Sequence, residues 1–339
     1  MCIRDSPYAS ERVRVVTTDA RSFFATTDEM YDVVAFGFLD AHTTTALTNA
    51  RLDHYVYTLE SFERVKDLLE PGGIVCVAFS PLRPFIVDRL AGELKAVFGS
   101  EPLAYYFAGG ATGSTGVLLV AGDLETAGAR ITSEPELASL AALRDGMPEP
   151  LTYTTPPATD DWPYLYLDQP RIPLLFGLLA GILALLVVFS ARTMKLPEAM
   201  SPRRWGTEAW HFFFLGAAFL LLEVQNISKA SVVLGNTWLV NAIIISGVLS
   251  MILAANVVVL RWRKIPLEPV YAILLAVVAG LYFVDLASFA FLPFALKALI
   301  VGSLATLPMA FSGIAFARAF EVASPTCLLY TSPSPRDHG

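Results

Sequence analysis

The residues best suited to chemistry lie in the stretch 31–45, YDVVAFGFLDAHTTT. Residues 31–36 form an apolar run, interrupted only by Asp32 and bounded by polar residues. That pattern suits a strand of a parallel sheet covered on both faces. Ligands of open α/β sheets sit just beyond the carboxyl ends of such strands. Gly37, Asp40, His42 and three threonines occupy that position here. Chemistry performed by this half of the chain is expected to pass near this loop. Equally, Asp40 and His42 can simply cap or solvate a loop. The run 49–57 (NARLDHYVY) mixes charged and aromatic residues. It fits either a cover over a substrate or a packed segment with an Arg51–Asp53 pair.

Two further groups carry chemistry. Asp19 precedes Ala20 at the start of a predicted helix, where a carboxylate serves as N-cap. Glu223, Gln225, Asn226 and Lys229 interrupt an otherwise apolar segment, HFFFLGAAFLLLEVQNISKASVVLG. Ionisable side chains at membrane depth face a bundle interior or a cavity. The quartet therefore suits a polar cavity for a cation or substrate. The alternative is a helix that ends near Leu222, with QNISK at the interface and Lys229 reaching for water. Glu223 and Lys229 are six apart and do not share a helical face. Asp285 and Lys297 read as interfacial.

These residues need positioning elements, and the composition shows two kinds. The 339-residue chain is 55% hydrophobic and only 16% charged. Ordinary soluble chains approach a quarter charged. The apolar excess lies after residue 171. The net charge of −7 argues against nucleic acid as a partner. Cys2, Cys76 and Cys327 lack metal or CxxC spacing, so neither a zinc site nor a disulfide framework is expected. Residues 1–6 (MCIRDS) and 327–339 (CLLYTSPSPRDHG) resemble translated sequencing-adapter read-through. They are set aside from the fold, which places the native start upstream.

Between the ends, the pattern predicts a strand at 13–16 and a helix from Ala20. The central strand 31–36 follows. A helix opened by Thr58 and Ser61 is closed by Pro71-Gly72-Gly73. A buried strand at 74–79 and a helix at 85–98 come next. Strands at 103–107 and 116–121 end the series, joined by GGATGSTG as a hairpin loop. This is an α/β sheet with an antiparallel edge. Residues 151–171 read as a linker, with Trp162, Tyr164 and Tyr166 as an aromatic belt before membrane entry. Apolar segments at 172–191, 209–230, 238–260, 270–291 and 294–320 make about five membrane helices. The expected architecture is a partial Rossmann-like α/β sheet at 7–150, followed by an all-α polytopic membrane domain at 172–322.

The strand–helix order resembles the second half of a class I methyltransferase fold. RVVTTDAR, YDVV with a loop aspartate, YTLESF and LLEPGGIVCVAF together resemble the spermidine synthase-like proteins. TDDWPYLYL before a membrane helix is similar to their membrane-anchored bacterial members. The resemblance implies S-adenosylmethionine or its decarboxylated form as cofactor. It places Asp19, Ala20 and Gly37 on the cofactor side, and Asp40 with His42 on the acceptor side. It puts the glycine-rich cofactor loop upstream of Val13. Aminopropyltransferases of this kind carry an aspartate where this chain has Gly37, so the transferred group can be aminopropyl or methyl. The implied partners are the bilayer, a small amine or lipid-proximal acceptor, and another copy of the chain as a homo-oligomer. The implied location is the bacterial inner membrane, with the α/β part in the cytoplasm. The basic stretches 192–204 and 261–264 oppose that side under the positive-inside rule. The alternative function is a catalytically inactive transferase-like domain that regulates or senses ligands for a transporter-like bundle.

Overall fold

The computed structural model describes residues 10–37, 54–107, 116–193 and 205–323, apart from 82, 136, 138, 140–142, 173, 236–237, 263, 285 and 291. Residues Phe23–Pro173 form one compact unit, and the helices from Leu174 onward belong to a second.

The first unit contains the part of α1 (Ala20–Thr26) from Phe23 on, β1 (Tyr31–Gly37), α2 (Leu59–Asp67), β2 (Leu69–Phe79), α3 (Pro84–Phe98), β3 (Leu103–Phe107), β4 (Gly116–Gly122) and α4 (Leu124–Ser133). The four strands form one sheet in the order β1-β2-β4-β3. β1 runs parallel to β2, with Gly37 opposite Ala78. β4 runs antiparallel to β2 and to β3. The expected hairpin is therefore present, with its second strand inserted next to β2.

β2 is the buried centre of this sheet. Val75, Val77 and Phe79 alternate inward and are almost fully enclosed. β1 was expected to be central and is instead an edge. Its Val33 is 53% exposed, because no strand lies beyond it and one face is uncovered among the described residues. The predicted strand at 13–16 forms no ladder, and Val13, Val15 and Val16 stay exposed.

Pro71-Gly72-Gly73 lies inside β2 rather than in a loop. The β1–β2 register slips between Tyr31 and Val33, and the extra residues of β2 are absorbed there as a bulge. Gly72 has φ +87°, and a Cβ on Gly73 would stand 2.9–3.1 Å from three backbone oxygens. Glycine at 73 is thus a packing requirement.

Aromatic rings build the core beside β1 and β2. Phe36 meets Phe24 and Phe62, each with ring centroids 5.4 Å away, and Tyr57 meets Phe79 at 5.5 Å. Arg64 holds the end of α1 by donating to Phe24 O and Thr27 O. α3 starts with Pro84 at its first turn and ends at Gly99, which adopts a left-handed φ of 77°. Ile86, Leu90, Leu94 and Val97 recur at helical spacing and are buried.

The second unit holds α5 (Leu174–Thr193), α6 (Thr207–Leu234), α7 (Trp238–Arg261), α8 (Leu267–Tyr282) and α9 (Phe294–Ala323). Three stretches, Thr207–Leu234, Trp238–Arg261 and Phe294–Glu321, are long and apolar enough to cross a membrane. Two shorter apolar stretches, Leu174–Ser190 and Leu267–Tyr282, complete the set. The expected segment 270–291 does not run as one helix. α8 stops at Tyr282, and a 3-10 turn follows at Leu286–Phe289. At 1.5 Å per residue α8 is roughly 24 Å long, short of the roughly 30 Å hydrocarbon core. α9 packs against α6, α7 and α8. Gly247, Gly302 and Gly313 let α7 and α9 approach closely, since a Cβ on any of them would meet the facing helix at 3.0 Å.

Candidate functional site

The carboxyl ends of β1 and β2 stand side by side, and the candidate site is built from there. Gly37 is the last residue of β1 and is exposed. A side chain added to it meets nothing within 4 Å among the described residues. The glycine is therefore not required for packing, and an aspartate would fit. Asp40, His42 and Asp53 lie outside the described residues. Asp19 caps α1, with its Oδ1 accepting from the Ser22 N–H at 3.0 Å. Ala20 opens that helix and is half-buried. The capping role uses one carboxylate oxygen, and a carboxylate has room for more acceptors than one.

The cavity enclosed near this sheet lies beyond the carboxyl end of β2. It measures about 340 Å³ and is walled by Pro84, Phe85, Tyr106, Val117, Pro150 and Leu151. Arg83 adds one basic group, and Asp88 and Glu149 add two acidic ones. No serine, cysteine or histidine lines it. Its walls suit a small, largely apolar group. Among the described residues no three His, Cys, Asp or Glu side chains are grouped to hold a metal ion.

Beside this cavity α3 carries three charged residues that the sequence reading passed over. Asp88, Arg89 and Glu93 are all buried. Together they bind residues 152–168, the segment expected to be a linker. The Arg89 guanidinium donates to five carbonyls: Pro156 at 2.7 Å, Tyr164 at 3.3 Å, Leu165 at 2.5 Å, Leu167 at 2.6 Å and Asp168 at 3.1 Å. It also lies 5.0 Å from the Trp162 ring and 5.5 Å from the Phe85 ring. Five N–H donors in a planar fork match this set of acceptors, and lysine has no such geometry. Burial lowers the Arg89 pKa, opposed by the charges of Glu93 and Asp168.

Asp88 holds the start of the same strap. Its oxygens accept the backbone N–H groups of Thr152, Tyr153, Thr154 and Thr155 at 2.6–3.1 Å. The Thr152 and Thr155 hydroxyls donate to it as well. Burial alone would raise this carboxyl, but the bonds from Thr155, Tyr153 and Thr152 override it and hold it at about 2. Glu93 accepts the Ala158 N–H at 2.6 Å. Its full burial pushes its pKa well above the usual carboxylate value, despite that bond and Arg89.

The far end of the strap meets α2. Thr58 is the residue before that helix, but its hydroxyl donates to Asp160 Oδ1 at 2.7 Å and not to the helix. Glu60 accepts the Asp160 N–H, Leu59 N–H donates to Ala158 O, and the His54 N–H donates to Pro163 O. The His54 ring packs edge-on to Tyr166 at 5.1 Å. Trp162, Tyr164 and Tyr166, read from the sequence as an aromatic belt, are half-buried, with Trp162 over Arg89 and Tyr166 against His54. One sequence signal does mark this anchor. Asp88, Arg89 and Glu93 fall inside the apolar frame of α3, where charged residues are rarely buried unless paired.

The polar quartet of the membrane segment divides. α6 does not end near Leu222. It continues to Leu234 and is closed by Gly235, whose N–H donates to Ser231 O. Glu223 and Asn226 are half-buried on one face, in line with buried Ala230 and Val233. Gln225 and Lys229 are exposed on the other. Lys297, expected at the interface, is only 4% exposed and donates to Val233 O at 3.2 Å, capping the end of α6. No protein-family model matches this chain, and no curated protein matches its sequence.

Proposed function

We propose that the chain belongs to a membrane-bound, spermidine synthase-like transferase. Its cofactor is S-adenosylmethionine or the decarboxylated form, and it alkylates an amine-type acceptor with an aminopropyl or methyl group. The observation that carries this reading is the strand order β1-β2-β4-β3. Two parallel strands followed by a reversed strand inserted before the edge match the closing half of a class I methyltransferase sheet. Ligands of such sheets bind beyond the strands' carboxyl ends, which supports Gly37, the last residue of β1, as a site residue. Asp19 at the head of α1 supports the cofactor side, since its carboxylate can take an adenine amine while capping. Asp40 is the acceptor-side carboxylate and His42 its neighbour. The soluble part faces the cytoplasm, where the cofactor is made.

Transfer of isotope label from either cofactor to a panel of di- and polyamines tests this in membranes bearing the longest native reading frame that contains the sequence. The expected result is labelled amine product, lost in Asp40→Asn. With Asp40 as the proton-accepting carboxylate, the loss is about 100-fold or more. Unchanged turnover in Asp40→Asn would remove that residue from the site. No transfer to any amine would overturn the amine-acceptor reading.

A further inference from the structure

A carboxylate in mid-helix needs an explanation that the transferase chemistry does not supply. Glu223 is the seventeenth residue of the 28-residue α6. At 1.5 Å per residue it lies roughly 24 Å from one end and 16 Å from the other. An ionised carboxylate at that depth is costly unless something compensates it. Its own helix offers no cation on that face, because Lys229 is exposed on the opposite side. α7 carries no ionisable side chain before Arg261, its last residue. α9 carries Lys297 near its start and Arg318 with Glu321 near its end. α8 carries Glu268 and Tyr271 in its first turns and Tyr282 at its end, and the Tyr271 hydroxyl bonds to His211. The 3-10 turn Leu286–Phe289 has none. Among the described residues no ion pair reaches Glu223.

The register of α6 against α9 is fixed at two points. Lys297 bonds Val233 O at one end. At the other, Phe212 meets Phe316 and Phe320, with ring centroids 5.5 and 6.5 Å apart. The helices are therefore antiparallel. Interpolating between those points sets Glu223 level with Leu307 and Pro308, and Asn226 level with Leu304. Pro308 stands inside α9. A proline lacks the N–H that would bond the carbonyl four residues earlier, here that of Leu304. Three oxygen donors thus share one level of the bundle: the Glu223 carboxylate, the Asn226 amide and the released Leu304 carbonyl. The Asn226 Nδ2 atom is buried without a hydrogen-bond partner among the described residues. Turning that amide over presents its oxygen where the unbonded nitrogen stands.

We infer that Glu223, Asn226 and the Leu304 carbonyl form a binding site for a monovalent cation inside the helical bundle. Hard oxygen donors suit an alkali-metal ion, and helices interrupted at membrane depth coordinate such ions through freed carbonyls. One carboxylate balances one positive charge, so a divalent ion is disfavoured. The proton competes for the same carboxylate.

A hydrophobic carbodiimide reacts with protonated carboxyls in apolar surroundings and tests this on the detergent-solubilised full chain. In choline buffer near pH 6, mass spectrometry should map the adduct to Glu223, and Glu223→Gln should lose it. Sodium, potassium or lithium chloride at about ten times the site's Kd should slow the labelling roughly tenfold, with choline chloride as the ionic-strength control. Asn226→Ala and Pro308→Ala should keep the label but lose cation protection, while Gln225→Ala keeps both. Gel filtration confirms that each variant is folded. Absence of a Glu223 adduct in choline, or labelling indifferent to all three cations, would overturn the site. Neither outcome bears on amine transfer by the α/β unit, so the two readings fail separately.

Discussion

At the scale of single residues, the heaviest electrostatic investment in the α/β unit is in α3. Arg89→Lys keeps the charge but cannot reach five carbonyls. Each acceptor left bare and buried costs on the order of 1–3 kcal/mol. Urea unfolding of the variant should show a loss of at least about 3 kcal/mol, and a loss under about 1 kcal/mol would mean that the strap is held by other contacts. Asp88 and Glu93 shift in opposite directions, so their pH signatures differ. Asp88 falls from 3.8 to about 2 on folding, so its contribution is complete above 3.8 and disappears as pH drops toward 2. That shift corresponds to about 2 kcal/mol. Glu93 is raised above 4.5 on folding, so it favours the folded state most below 4.5 and progressively less as pH rises. Stability of Asp88→Asn should therefore lose its steep decline between pH 4 and 2. Glu93→Gln, which keeps an oxygen for the Ala158 N–H, should remove the decline on the alkaline side without loss at pH 7. Circular dichroism melts across pH 2–9 read both, and a wild-type profile in either variant would contradict its assignment.

At the scale of elements, β2 and the strap explain what the sequence showed and what it hid. The apolar alternation of β2, the frame of α3 and the β3–β4 hairpin were legible because each follows from local periodicity. The place of Pro71-Gly72-Gly73 was not. A turn tripeptide reads as a loop, and only the approach of β1 turns it into a bulge within a strand. The strap was hidden for the same reason. Residues 152–168 have no periodicity, and their order comes from Asp88, Arg89 and Glu93, more than 60 positions earlier. α6 was legible as an apolar segment, while its continuation past Leu222 depends on packing against α9. The bulge is directly testable. Gly73→Ala puts a methyl against three backbone oxygens and should destabilise the α/β unit by about 1–3 kcal/mol. A melting temperature equal to wild type would show that the β1–β2 register is set elsewhere.

At the scale of the whole molecule, two compact units share one chain. The α/β unit presents its strand ends and a mostly apolar cavity, and its last segment is bound down before residue 174 begins the helices. The second unit offers three helices able to cross a bilayer, one of them carrying a carboxylate at mid-depth. The candidate site was legible in part. Gly37 ends β1 and Asp19 caps α1, both read from local pattern alone. The acceptor-side pair Asp40 and His42 lies outside the described residues. Cofactor recognition is therefore the claim on which the account turns. Isothermal titration calorimetry on the longest native reading frame containing this sequence, with S-adenosylmethionine and with its decarboxylated form, measures it directly. The account predicts saturable binding of at least one of them, weakened by Asp19→Ala in a variant that stays folded; heat of dilution alone with both would contradict it.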